Sequence, residues 1–220
     1  MHIEKIKELK NSKNSNYFDF IYKFNYHSNK IDGSKVSLED VVNLMEYQEA
    51  QSEYKPEDIL QTKNSFELFN FIVNTLGQSI TKLSLLEFHS ILKKNAITDK
   101  KVFKGSFKKT PNKVSGVVVK IAGNNEVESK LDELIKWWDG LEKKGLINIS
   151  EFHLRFETIH PFQDGNGRIG RFIILKQCIE ADISPILINS DNVLRYRGVL
   201  AKHSVGDLYE FFSDCEQYEL

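Results

Sequence analysis

Apolar residues recur at helical spacing through most of this chain, and this periodicity limits the fold more than any other feature. Val127, Leu131, Leu134, Trp138 and Leu141 follow one another at alternating intervals of four and three, which places them on one face of a helix. Similar patterns predict helices over residues 17–28, 37–51, 64–76, 83–94, 149–159, 168–181, 192–202 and 207–215. We therefore predict an all-α, mainly helical fold.

One stretch departs from helical spacing. Phe103–Lys109 and Lys113–Lys120 flank the turn-forming residues Thr110, Pro111 and Asn112, and the second segment carries three consecutive valines. Proline presets the backbone angle of a turn, and β-branched residues favour strands. This stretch predicts one β-hairpin beside the helices.

Composition excludes several classes of protein. The chain has 220 residues, of which 40% are hydrophobic, and a formal net charge of −1. That length suits a substantial core, and the near-zero charge provides no basic field for nucleic acid. No apolar run reaches the roughly 18 residues of a membrane span, and residues 1–18 do not resemble a secretory signal. The two cysteines form no CxxC pair, so we expect a cytoplasmic protein without disulfides.

Residues 160–171, HPFQDGNGRIGR, carry most of the chemistry. Gly165, Gly167 and Gly170 match the spacing of a dinucleotide-binding loop, and Asp191 lies at the distance where such folds place an acid. That interpretation requires an apolar strand before the first glycine. Residues 149–159 have helical spacing instead and lead into Pro161, so the dinucleotide interpretation is disfavoured.

A phosphate-binding loop accounts for more of these residues. Gly165-Asn166-Gly167 precede a predicted helix, whose N-terminal N–H groups attract anions. Arg168 and Arg171 lie three apart and can both reach such an anion, while Asp164 can hold Mg²⁺ between phosphates. His160 is suited to take a proton from an attacking hydroxyl. Together these residues predict transfer from a metal-bound nucleotide to a hydroxyl.

The same twelve residues resemble the motif HPFx(D/E)GNGRxxR of the Fic family at every defining position. The resemblance covers roughly residues 66–212 and implies a helical Fic bundle with one β-hairpin flap. It also implies protein AMPylation, the transfer of AMP from Mg²⁺-ATP to a Ser, Thr or Tyr hydroxyl. The resemblance implies that His160 is the general base and that Asp164 binds Mg²⁺. It implies an anion hole formed by Gly165, Asn166 and Gly167. Arg168 would contact the β-phosphate and Arg171 the γ-phosphate, while Phe162 would anchor the loop.

Residues 105–116 resemble the flap of this family, which holds the target protein by strand addition. The docking residues implied are Gly105, Phe107, Lys108, Asn112 and Val114, with Lys108 standing where the family usually has Arg. The Doc kinases of the superfamily carry Lys at the second loop glycine. This chain keeps Gly167, which favours nucleotidyl transfer over phosphorylation.

Ser28-Asn-Lys-Ile-Asp32-Gly33 resembles the inhibitory motif (S/T)xxxE(G/N) of the family, in which the Glu pairs with the second loop arginine, here Arg171. Asp32 departs from that motif and is shorter by one methylene. Three outcomes follow from the sequence: a closer helix that restores the contact, a leaky restraint, or a bridging water.

The sequence thus predicts an autoinhibited adenylyltransferase with an N-terminal helical arm at residues 1–60 and a Fic core at residues 61–220. Its expected partners are ATP and a target protein, with the enzyme itself as a second candidate target, but no nucleic acid or membrane. The chain ends at Leu220 without a winged-helix segment, so we expect no DNA-directed role. Transfer of another nucleotide or of phosphocholine, removal of AMP, a non-catalytic nucleotide-binding role and self-association remain open.

Overall fold

The computed structural model describes residues 3–11, 15–96, 104–110 and 121–220. The helices are α1 (Ile3–Asn11), α2 (Ser15–Ile31), α3 (Leu38–Glu46), α4 (Pro56–Asn74), α5 (Lys82–Leu92), α6 (Val127–Asp139), α7 (Leu146–Ile159), α8 (Asn166–Glu180), α9 (Val193–Ala201) and α10 (Val205–Ser213). The strands are β1 (Ile186–Leu187) and β2 (Glu216–Gln217). The predicted mainly helical fold is confirmed.

Helix α8 occupies the centre of the molecule. All residues from 168 to 179 are buried, polar and charged ones included. A helix that is buried on every side must have neighbours all round, and α2, α4, α5 and α7 supply them. Helix α7 is in turn covered by α6 and α10. The loop between α7 and α8 therefore joins two helices that are packed against several neighbours.

Helix α2 packs its predicted apolar face against this centre. Tyr17, Ile21, Phe24 and Ser28 are each at most 5% exposed, and α2 contacts α3, α4 and α8. Helix α3 begins where predicted, because the Ser37 side chain accepts a hydrogen bond from the Asp40 N–H. It ends at residue 46, however, five residues before the predicted end.

Helix α4 starts earlier than predicted. Pro56 stands in its first turn, where the missing N–H of proline costs no hydrogen bond. The helix then runs continuously across residues 60 and 61, where the predicted arm would meet the core. The division into arm and core remains a prediction.

The predicted hairpin lies largely outside the described residues, including Asn112, Val114 and all of the second strand. The first predicted strand is wrong over residues 104–109, which form turns and bends. Gly105 has a positive φ of 63°, and the Lys108 N–H donates to the Pro161 carbonyl at 2.8 Å. These residues attach to the loop after α7 instead of continuing as a regular strand.

The strand pair was not predicted. Ile186 and Leu187 of β1 pair antiparallel with Gln217 and Glu216 of β2, and the Tyr218 N–H extends the contact to the Pro185 carbonyl. This pairing ties the C-terminal segment beside α2 and α8. Within the described ranges, no helix combines the length and apolarity that crossing a bilayer requires.

Candidate active site

The loop between α7 and α8 begins at His160, which caps α7 in the left-handed conformation with φ of 49°. Pro161 follows it and disfavours a further helical residue before it, so the helix ends there. Gly165, with φ of 86°, caps the start of α8. Such an angle is easily adopted by glycine. The chain thus passes from α7 to α8 through six residues, 160–165, and leaves the N-terminus of α8 open toward the cleft.

Asn166 and Phe162 fix the shape of this loop. The Asn166 side chain accepts from the Phe162 N–H and donates to the Phe162 carbonyl, both at 2.8 Å. The Phe162 ring is fully buried and stacks on His89 with ring centroids 4.3 Å apart. The expected packing of Phe162 is confirmed. The Asn166 side chain thus holds the loop together, which leaves the predicted anion hole to the backbone N–H groups of residues 165–167.

The base of the predicted flap joins the same loop. The buried His89 accepts the Gly105 N–H on Nδ1, and burial lowers the pKa of this histidine to about 4, which keeps it neutral. Lys108 donates from Nζ to the Ile159 carbonyl at 3.2 Å, and burial lowers its pKa to about 8. Phe107 lies against Phe162, with centroids 5.7 Å apart. The three described flap residues therefore anchor the segment to the site.

Asp164 stands at the edge of the loop with its side chain 56% exposed. Lys93 forms an ion pair with it, and Arg168 lies 3.7 Å away. Burial would raise the pKa of Asp164, but the two cations and the Gly165 N–H hold it at about 2. Lys93 was not singled out from the sequence, since 71 residues separate it from Asp164 and nothing in α5 marks it.

The residues around Asp164 fit the predicted Mg²⁺ in one respect, which is the carboxylate that they offer. Mg²⁺ in nucleotide sites commonly takes one or two carboxylates, with phosphates and water completing its shell. Asp164 offers one ionised, accessible carboxylate at the mouth of the anion-binding loop. In the part of the chain that the structure describes, no three His, Cys, Asp or Glu side chains cluster as a protein-only metal site. The residues therefore suit a metal that arrives with a nucleotide.

Both loop arginines are buried on the first turns of α8, with 2% and 3% of their surface exposed. Arg168 Nη1 donates to Gln61 Oε1 at 2.5 Å, a partner on α4 that the sequence did not reveal. Arg171 Nε donates to Ser28 Oγ at 3.0 Å, and its Nη2 donates to the Ser28 carbonyl at 2.8 Å. Helix α2 therefore holds Arg171 directly.

Asp32 also reaches the loop arginines, in spite of its short side chain. Its Oδ2 lies 2.9 Å from Arg171 Nη2 and 3.3 Å from Arg168 Nε. Of the three outcomes that the sequence left open, the structure has the direct bond, with no need for a bridging water. The neighbouring Gly33 has a φ of 101° with empty space around its Cβ position, so its role is to end α2 in a left-handed turn.

Gly167 lies beneath this cluster. A Cβ at this position would stand 3.1 Å from Arg171 Nη1 and 3.3 Å from Asp32 Oδ1. A side chain here would press on the arginine and the aspartate together. The glycine avoids this crowding and lines the cleft.

The predicted site residues His160, Asp164, Gly165, Asn166, Gly167, Arg168, Arg171 and Asp32 line one cleft of about 360 Å³. Tyr196, Arg197 and Leu200 of α9 close its far side. Arg197 Nη2 also donates to the Ile31 carbonyl at 2.9 Å, at the end of α2. No sequence pattern had marked these α9 residues as part of the site. The arrangement offers a histidine, an ionised carboxylate, two buried guanidiniums and a helix N-terminus around one space, which suits a polyphosphate and an attacking hydroxyl.

Residues 79–178 match the family described as Fic/DOC. A relative from Culex quinquefasciatus named protein adenylyltransferase Fic is 25% identical over 96% of this chain and 42% of its own length. The chain thus spans less than half the length of this curated relative.

Solved structures of Fic proteins share the fold. A Fic domain-containing signalling protein from Bacteroides thetaiotaomicron aligns with a TM-score of 0.81 at 20% identity, over 97% of this chain and 91% of that one. The N-terminal Fic domain of a cell filamentation protein from Bartonella quintana, with bound ADP, aligns with a TM-score of 0.54 at 18% identity, over 77% and 90%. The helical architecture is therefore that of a Fic domain.

Proposed function

We propose that this chain transfers AMP from ATP to a Ser, Thr or Tyr hydroxyl of a protein. The observation that carries the proposal is the convergence of His160, Arg168 and Arg171 on the N-terminus of α8 within one cleft. The family supports it, as do the relatives named adenylyltransferase and the ADP bound to the Bartonella quintana protein.

The residues divide the chemistry among them. The N–H groups of residues 165–167 and the guanidinium of Arg168 would hold the phosphates next to the attacked phosphorus. Arg171 would hold the terminal phosphate, and His160 would accept the proton of the attacking hydroxyl. Asp164 would bind Mg²⁺, which neutralises phosphate charge when bound. Pyrophosphate would then leave from the side of the arginines.

We further propose that Asp32 and Ser28 restrain the reaction. The terminal phosphate requires the guanidinium of Arg171, and α2 already occupies it through the Ser28 carbonyl, Ser28 Oγ and Asp32 Oδ2. A phosphate must displace the aspartate before it can bind there. The 2.9 Å distance supports an effective restraint by Asp32, although the family motif has Glu.

The target protein would dock beside the flap. Gly105, Phe107 and Lys108 attach the base of the flap to the loop after α7, which supports a position next to His160. Asn112 and Val114 would continue the docking surface outside the described residues. Docking through backbone pairing selects geometry more than sequence, so the target is defined only as an extended segment that presents a hydroxyl.

Labelled ATP distinguishes this reaction from phosphorylation. The Asp32→Ala variant is incubated with Mg²⁺ and ATP labelled at either the α- or the γ-phosphate, and label on protein is measured. AMP transfer leaves only the α label on the protein, and Asp32→Ala/His160→Ala leaves neither. Retention of the γ label would show phosphoryl transfer and would overturn the proposal.

A further inference from the structure

A buried carboxylate that the mechanism above does not use lies directly behind the proposed base. Glu157 precedes His160 by one turn of α7, and its side chain is 12% exposed. Its Oε2 lies 3.7 Å from His160 Nδ1. Neither Glu157 Oε1 nor His160 Nδ1 has a hydrogen-bond partner among the residues that the structure describes, although both atoms are buried. Buried polar atoms without partners are uncommon and call for a physical reason.

Gly170 shows that space is reserved for this carboxylate. A Cβ at Gly170 would stand 2.9 Å from Glu157 Oε1 and 2.8 Å from His153 Cε1, closer than real side chains pack. Gly170 lies within α8 and has no positive φ, so a turn does not explain it. Helix α8 carries glycine here because α7 presents the carboxylate and an imidazole at that point.

The surroundings of Glu157 favour its ionised form. Burial alone would raise its pKa, but His160, His153 and Arg171 together lower it. Arg171 is meanwhile engaged by Ser28 and Asp32. Two rings near Glu157, those of His160 and His153, have an Nδ1 without a partner among the described residues. Of these two, only His160 lines the cleft.

We propose that Glu157 positions the base by accepting the Nδ1–H of His160. A closure of less than 1 Å would turn the 3.7 Å approach into a hydrogen bond, and such bonds commonly tighten only when substrate is present. The bond holds the ring in the tautomer whose Nε2 lone pair faces the cleft. This inference rests on the proposed AMP transfer, in which His160 is the base.

The effect of Glu157 follows from where the proton and the electron pairs go in the transfer step. The hydroxyl oxygen forms a bond to the α-phosphorus, and the bond from that phosphorus to the bridging oxygen breaks. Pyrophosphate leaves with the electron pair, and the hydroxyl proton passes to Nε2 of His160. The ring becomes an imidazolium, which the Glu157 carboxylate stabilises without taking the proton.

The tautomer of His160 tests the inference without any transfer reaction. Protein labelled with ¹⁵N-histidine is examined by NMR at a pH where the imidazole is neutral, and His160 is assigned by its loss in His160→Ala. We expect wild type to show His160 protonated at Nδ1, and Glu157→Gln to show a mixture or the Nε2–H form. Glu151→Gln makes the same chemical change on the exterior of α7 and should leave the signal unchanged. The same tautomer in wild type and Glu157→Gln would overturn the proposal.

Gly170→Ala serves as a second variant in case Glu157→Gln does not fold. Its Cβ pushes the carboxylate away while leaving it in the chain, so it should alter the His160 tautomer in the same direction. Gly170→Ala with an unchanged tautomer would contradict a role for this packing.

Kinetics in the Asp32→Ala background provide the second measurement. General-base catalysis contributes roughly 10²–10⁴-fold, so Glu157→Gln should lower kcat about 10- to 100-fold with little change in KM for ATP. Glu151→Gln in the same background should leave kcat unchanged, because Glu151 lies on the exterior of α7. A loss of kcat in Glu157→Gln no larger than that in Glu151→Gln would overturn the inference. If Asp32→Ala itself transfers nothing, the proposed function fails. The NMR measurement of the His160 tautomer still shows whether Glu157 positions the ring.

Discussion

Replacing Asp32 with alanine is the perturbation for which the structure gives the clearest magnitude. Asp32 Oδ2 lies 2.9 Å from Arg171 Nη2, a distance at which the gross attraction is roughly 6 kcal/mol at an effective dielectric of ~20. Most of that attraction is offset by desolvation of the two charges. A hydrogen bond to a charged group retains roughly 1.5–3 kcal/mol. This is the free energy that the terminal phosphate must overcome to bind Arg171.

Since about 1.4 kcal/mol corresponds to a tenfold change in affinity, Asp32→Ala should bind Mg²⁺-ATP roughly 10- to 150-fold more tightly than wild type. Isothermal titration calorimetry measures this directly, with His160→Ala present in both proteins to prevent turnover. ADP lacks the terminal phosphate and should show a smaller gain.

Two matched variants separate charge from size at this position. Asp32→Asn keeps the shape and loses the charge, so it should bind ATP nearly as tightly as Asp32→Ala. Asp32→Glu restores the residue of the family motif and should remain restrained. If Asp32→Ala and Asp32→Asn bind ATP no more tightly than wild type, the reasoning that Asp32 competes with phosphate for Arg171 is refuted.

Three further predictions concern the loop and its restraint. Ser28→Ala removes one hydrogen bond to Arg171 but leaves the bond to the Ser28 carbonyl. AMP transfer should therefore rise by about fivefold, which is less than in Asp32→Ala. A larger rise than in Asp32→Ala would contradict the view that Asp32 is the stronger restraint. Phe162→Ala empties a fully buried, stacked position and should lower the free energy of unfolding by about 3–5 kcal/mol in chemical denaturation; a loss below 1 kcal/mol would show that the ring does not anchor the loop. The pKa of Asp164 is about 2 when folded and ~3.9 when unfolded. Its ionised form therefore stabilises the fold above the unfolded value, and this contribution is lost as the pH falls toward 2. Asp164→Asn should narrow the difference in Tm between pH 6 and pH 2.5; an unchanged difference would contradict the pairing with Lys93.

The fold could be predicted largely because apolar spacing is a local property. The face of α2 and the start of α3 at Ser37 follow from residues three or four apart. Strands β1 and β2 are only two residues long and pair across 30 positions, so no periodicity marks them. Helix α1 was missed although Ile3, Ile6 and Leu9 recur at intervals of three, because lysines and glutamates separate them in a short segment.

The part of the candidate site that lies within one contiguous motif could be predicted from the sequence. Residues 160–171 identified the histidine, the carboxylate and the arginines, which the structure brings into one cleft. Lys93 directly follows α5, while Gln61 lies on α4 and Arg197 on α9. These residues join the site only through folding. Whether Asp32 reaches Arg171 could not be decided from the sequence, because the contact depends on the position of α2 against α8.

Intact-mass spectrometry tests the central claim most directly. Wild type, Asp32→Ala and Asp32→Ala/His160→Ala are incubated with Mg²⁺-ATP and the purified proteins are weighed, with a mixture of protein substrates added in a parallel set. The account predicts an adduct with the mass of one AMP that grows on Asp32→Ala protein or on an added substrate, is slower with wild type and is absent without His160. An AMP adduct that forms at the same rate in the absence of His160 would contradict the mechanism, and the absence of any AMP adduct in both sets would contradict the proposed activity.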